Sequence, residues 1–278
     1  MFSVESIQLL QQGAAITQAA ESIAEAITST ANTVALPNDY QLHDLEKLLP
    51  QRRRARGTMS TTALPSFAEY VLDHAEAGAS VFVDAIRMQA TAVLNLGGAD
   101  APGHCDNRAV LTAQATAAYK ALLAIANGMQ IKQATLAEYL EDWGHMARCE
   151  TADGTELEVR KAAAGVRSIT IEGLRRVESA EQQLGASRSA FEEVKAAKQD
   201  TIPAFITITC DPYQGLQPRS LRCRLGIVTS ADKPALTLRI AKHEEHMEEM
   251  GEELAQLVRG ALTGSYVPVL VGSYSLNG

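Results

Sequence analysis

Cysteine is scarce in this chain and never arranged as CxxC. Its four cysteines, Cys105, Cys149, Cys210 and Cys223, lie far apart. In a chain this long, that spacing reads as reduced thiols and not as a disulfide framework. No apolar run approaches the roughly 20 residues needed to span a bilayer. The opening Met1-Phe-Ser-Val-Glu-Ser lacks the basic n-region and continuous apolar core of a signal peptide. A soluble cytoplasmic protein with no membrane partner is therefore expected. GxxxxGKS/T, GxGxxG after a strand and GxSxG are all missing, which argues against nucleotide hydrolysis and dinucleotide-dependent redox chemistry. No paired-carboxylate constellation stands out from the general acidic surface. Internal repeats and low-complexity tracts are missing too.

What is present is globular. The 278 residues are 46% hydrophobic and 21% charged, enough to bury a core as one large α+β domain or two modest ones. The formal charge of −8 repels nucleic acid and anionic lipid at long range, so contact with either needs a local basic patch. One such patch stands out. The segment 43–62 holds Lys47, Arg52, Arg53, Arg54 and Arg56 against Asp44 and Glu46, a net of +3, with Pro50 stopping the short amphipathic piece before it.

Hydrophobic periodicity divides the rest. Residues 3–31 predict a helix with Ile16, Ala20, Ile23 and Ile27 at helical spacing. Its stripe is thin and alanine-rich, so it needs packing on something else, such as a second subunit. A linker follows, ending at Pro37-Asn38. A helix is expected from Leu64-Pro65 to about His74. Strands are expected at Ser80–Asp84, Ala92–Leu96 and Val110–Ala115, with a Gly97–Gly103 loop between the second and third. Helices are predicted near 116–127 and over Leu136–Met146, the latter with Leu136, Tyr139, Leu140 and Trp143 on one face. Val166–Ile171 alternates like a strand, and Leu174–Lys198 is mixed in character. Strands Ala204–Cys210, Arg222–Val228 and Ala235–Ile240 predict an antiparallel meander. A strong helix at 241–262 follows, and then an apolar tail in which Pro268 bars a central strand position. That tail is expected to lack a local partner for its apolar face and to add a strand to a neighbouring subunit. The expected fold class is α+β, a largely antiparallel sheet with packed helices. The expected divisions are an N-terminal helical arm and linker over 1–38, a core over 39–264 with two subdomains meeting near 150–200, and an extended tail over 265–278.

Four clusters compete as sites. Arg52, Arg53, Arg54 and Arg56 suit bidentate phosphate contact, yet the segment has no aromatic residue for base stacking. The bland alternative pairs them with carboxylates of the same or a neighbouring subunit. His104, Cys105 and Asp106 are the residue types of an activated nucleophile or a metal site, but consecutive residues point in different directions. His145 and Cys149 stand i, i+4 and would share a face if the segment were helical, giving two zinc ligands with two more needed. His243, His246 and Glu249 form HxxH and not HExxH, leaving the general-base carboxylate out of place. Beneath them Met247, Met250, Leu254, Leu257 and Ala261 step by three and four as a packing seam.

The segment His43-Asp-Leu-Glu-Lys…Arg-Gly-Thr-Met-Ser-Thr-Thr62 resembles an uncharacterised family of phage and prophage proteins typified by YfdQ. Val81–Asp84, Leu94–Gly97, Pro102–Arg108, Leu140–Trp143, Ile202-Pro203 and Cys210–Tyr213 fit the same family. The resemblance covers most of the chain and implies synthesis inside a bacterial host from phage or prophage DNA. It carries no catalytic residues. The leading expectation is a non-enzymatic, self-assembling phage or prophage accessory protein in the host cytoplasm, with itself as partner and no cofactor. The alternatives are a nucleic-acid-associated protein of phage DNA metabolism using residues 52–56, a metal or thiol enzyme, and a protein that interferes with a host defence protein.

Overall fold

The computed structural model describes residues 4–28, 46–169, 202–230 and 233–275. The chain is an α+β protein divided into two compact units, residues 1–55 and 56–278. The expected linker at 33–38 and the mixed segment Leu174–Lys198 lie outside the described residues.

The first unit contains helix α1, Val4–Thr28, and a short 3-10 turn, Glu46–Leu48. Where the burial of α1 side chains is described, none is buried.

The second unit holds two sheets. Strands β1 (Gly57–Thr61), β2 (Ser80–Asp84), β3 (Gln89–Val93), β4 (Asn107–Thr112) and β11 (Val269–Val271) form one, in the order β1-β4-β3-β2-β11. Its centre is antiparallel, and each edge strand is added in parallel. The other sheet orders β5 (Asn127–Ile131), β10 (Lys233–Ile240), β9 (Arg219–Ser230), β8 (Phe205–Cys210), β6 (Ala147–Glu150) and β7 (Glu156–Leu157). All its pairings are antiparallel. The expected meander is β8-β9-β10.

Alternation makes these strands one-sided. Val81 and Val83 of β2, Ile206 and Ile208 of β8, Leu221, Cys223 and Leu225 of β9, and Leu236 and Leu238 of β10 are buried. Apart from the buried Ser80 at the start of β2, their described neighbours along each strand stay partly or wholly accessible, as a period of two demands. Helices α2 (Leu64–His74), α3 (Ala117–Ile125), α4 (Gln133–Asp142), α5 (Val159–Arg167) and α6 (His243–Ala261) contribute to the same core. In α6 the seam packs inward through Met250 and Leu254, with Ala255 and Val258 beside them. The helix approaches the β2–β3 turn so closely at Gly251 that a Cβ there would overlap Ala85.

Three expectations change. The strand expected over Val166–Ile171 is not found in its described residues, 166–169, and 170–171 lie outside the described residues. Val166 lies in the last turn of α5, where Ala162, Ala163 and Val166 are all buried along one helical face. The segment from His145 to Cys149 is not a helix. His145 sits in the 3-10 turn Gly144–Met146, and Cys149 lies on β6. The tail, expected to lack a local partner, pairs within its own chain as β11 along β2. Pro268 precedes that strand at the sheet edge, where its missing N–H costs no ladder bond.

Candidate functional site

The exposed apolar face of α1 comes first. Leu9, Leu10 and Ile16 are 59–69% exposed. The acidic residues are Glu5 in the first turn, then Glu21 and Glu25. With none of its described side chains buried, a helix of this composition gains little from propensity alone and depends on packing.

The basic loop follows the 3-10 turn. Arg52 and Arg53 are exposed and Arg54 is half-buried, while the backbone N–H of Arg53 donates to Glu46 Oε1 at 3.3 Å. Arg56 belongs to the second unit, directly before edge strand β1. In the loop, then, a carboxylate holds the backbone beside Arg53 and leaves that guanidinium facing solvent.

The consecutive His104, Cys105 and Asp106 diverge. His104 is exposed, whereas Cys105 is buried in a left-handed backbone conformation, φ 56°. Cys105 Sγ donates to the Gly103 carbonyl at 3.5 Å and accepts from the Tyr274 hydroxyl at 3.2 Å. Asp106 turns the other way and accepts from Asn95 Nδ2 at 2.8 Å. Asn95 closes the loop further: its Oδ1 accepts from the Asn107 N–H at 3.1 Å, and its carbonyl accepts from the Cys105 N–H at 3.3 Å. Glycine is obligatory at 103 because a Cβ would overlap that carbonyl. The loop is thus a folded structure organised by Asn95, with its imidazole, thiol and carboxylate pointing apart. Arg108 adds a 2.7 Å bond from Nε to the Cys105 carbonyl.

The other thiols are buried as well. Burial pushes Cys149 up to about 12. Burial, with Cys210 nearby, does the same for Cys223. Cys210 is raised by burial and then by Asp211. These thiols stay protonated at neutral pH, and a protonated thiol is neither nucleophile nor ligand. His145 is exposed and lies alongside Trp143, with ring centroids 6.3 Å apart. It shares no site with the buried Cys149.

Helix α6 uses its polar residues differently from the HxxH reading. His243 Nε2 lies 3.1 Å from the Tyr119 hydroxyl, which also donates to Met247 Sδ at 3.7 Å. Arg219 reaches Glu253 at 3.1 Å and Glu249 at 3.7 Å, and Glu253 accepts from the Gln217 N–H at 2.6 Å. His246 is 3.9 Å from Glu249. Sequence reasoning missed Tyr119, Tyr274, Asn95 and Arg219, because each acts through a partner distant in sequence. Among the described residues, no group of three or more His, Cys, Asp or Glu side chains could hold a metal ion, and no helix is long and apolar enough to cross a membrane.

No curated protein and no solved structure matches the chain. Over residues 4–274 it matches the model of a family described as "Uncharacterized conserved protein (DUF2303)", and it belongs to that family.

Proposed function

We propose that the protein is a non-enzymatic, self-assembling accessory protein of phage or prophage origin, working in the cytoplasm of a bacterial host. The observation that carries self-assembly is α1. Leu9, Gly13, Ile16, Ala20, Ile23 and Ile27 step by four and three in alternation along it, a 3.5-residue repeat that suits a second helix of the same kind. The seam is uncharged, and Glu21 and Glu25 fall outside it. A second copy of α1 therefore meets no buried charge, and Gly13 and Ala20 let the backbones approach. The non-enzymatic side rests on the divergence of His104, Cys105 and Asp106 and on thiols held protonated by burial. The phage or prophage side rests on the resemblance of 43–62 and the blocks that accompany it. Ile16→Glu with Ile23→Glu places charges in the seam and is expected to lower the native mass measured by light scattering. An unchanged mass would refute assembly through α1.

A second reading gives the basic loop a nucleic-acid role. The exposure of Arg52 and Arg53 in a chain of net charge −8 favours it. Purified protein would then carry nuclease-sensitive absorbance that Arg52→Ala with Arg53→Ala removes.

A further inference from the structure

Arg224 of β9 stands directly opposite Arg239 of β10, and both are exposed. Directly opposed like charges weaken an antiparallel pair, and neither arginine has a carboxylate partner among the described residues. The register extends this row. Phe205 of β8 is opposite Arg224, and Thr207 lies between Arg222 and Arg148. Because side chains alternate, all of these sit on the face of the six-stranded sheet that turns away from Leu221, Cys223 and Leu225. Glu150 answers two of the four arginines, at 3.4 Å from Arg148 and 3.2 Å from Arg222, and Glu156 also reaches Arg148 at 3.4 Å. The positive charge left over is concentrated at Arg224 and Arg239. Between the committed and uncommitted halves lies Phe205, with the Arg222 guanidinium carbon 3.9 Å from its ring centroid and that of Arg224 at 5.9 Å.

We propose that this sheet face binds single-stranded nucleic acid. Arg224 and Arg239 take backbone phosphates, which relieves their mutual repulsion. The stacked Arg222–Phe205 pair offers a planar platform to an unpaired base. The charge complementarity is local: a chain with an acidic total holds a surplus of arginine on one face, beside its aromatic residue. A duplex keeps its base faces internal and cannot use the platform. This site shares no residue with 52–56, and it stands or falls independently of assembly through α1.

The test uses the full chain and a fluorescently labelled oligothymidylate, with binding followed by anisotropy as salt is raised. Arg224→Ala with Arg239→Ala is expected to lower affinity at least tenfold. It should also flatten the plot of log affinity against log salt by about 1.4, roughly 0.7 for each single-strand phosphate that is no longer neutralised. Arg224→Lys with Arg239→Lys keeps most of the salt slope. Phe205→Leu lowers affinity and leaves the slope unchanged, and Arg52→Ala with Arg53→Ala leaves binding as it was. Removing the opposed charges should hold the thermal midpoint or raise it. Absence of binding by the unaltered chain, or equal binding by the double alanine variant, would overturn the proposal. Polyglutamate binding as tightly as the oligonucleotide, with no response to Phe205→Leu, would make the face an acidic-protein surface instead. A fall in the midpoint of both arginine variants would show that these side chains serve packing.

Discussion

Tyr119 and His243, 124 residues apart in the chain, meet at 3.1 Å between hydroxyl and Nε2. The contact ties α3 to the first turn of α6, with Tyr119 fully buried. Removing the hydroxyl by Tyr119→Phe keeps the ring near Tyr213, with ring centroids at 5.6 Å, and strips only the polar contact. The expected loss is about 1 kcal/mol, the net worth of a buried hydrogen bond, read as a lower urea midpoint with an unchanged slope.

Gly103→Ala tests whether the 95–108 loop is a folded unit. Its new methyl would overlap the Asn95 carbonyl, and backbone cannot yield as a flexible side chain does. A destabilisation of about 1–3 kcal/mol is expected, in the range of overpacking. A variant as stable as the parent would show that the loop has room to shift.

The buried thiols give a prediction in alkali. Cys149 and Cys223 move from an ordinary value of 9.0 to about 12, so between those values the folded chain holds protons that the unfolded chain releases. Their contribution to stability is complete below pH 9 and is lost as pH climbs toward 12. Urea midpoints should fall over that window, and by less in Cys149→Ala with Cys223→Ala than in the parent once the neutral cost of substitution is subtracted. At pH 8, an aromatic disulfide reagent should leave both thiols unmodified until the chain unfolds.

Tyr274 anchors the tail. Its hydroxyl donates to Cys105 Sγ, and its ring stacks on Phe82 at 5.0 Å between centroids. Tyr274→Ala is expected to cost roughly 1–2 kcal/mol through loss of the stack and the hydrogen bond. It should raise amide exchange along Val269–Val271 while leaving the native mass unchanged, since β11 pairs within its own chain.

Much of the second unit was legible because its strands bury one face. Val81 and Val83, then Ile206 and Ile208, declare themselves by alternation. Edge strands β1 and β5 were not legible: Gly57-Thr-Met-Ser-Thr61 and Asn127-Gly-Met-Gln-Ile131 bury little and are extended because β4 and β10 pair with them. The strand reading of Val166–Ile171 failed over its described residues because Val166 and Ile169, both buried, stand three apart, an interval that suits a helical turn and not a strand's period of two. At the candidate sites, adjacency in sequence misled. His104, Cys105 and Asp106 are neighbours that part company, while Arg224 and Arg239 become neighbours only through the β9–β10 register. The α1 stripe, by contrast, could be read directly, since a helix fixes its own faces.

The most direct test of self-assembly is native mass by light scattering, on the full chain and on a chain lacking residues 1–28, both after nuclease treatment. Assembly through α1 predicts a multiple of the 29.8 kDa protomer for the full chain and a smaller species for the truncated one. A full chain that runs as a monomer, or a truncation that leaves the number of subunits unchanged, would contradict it.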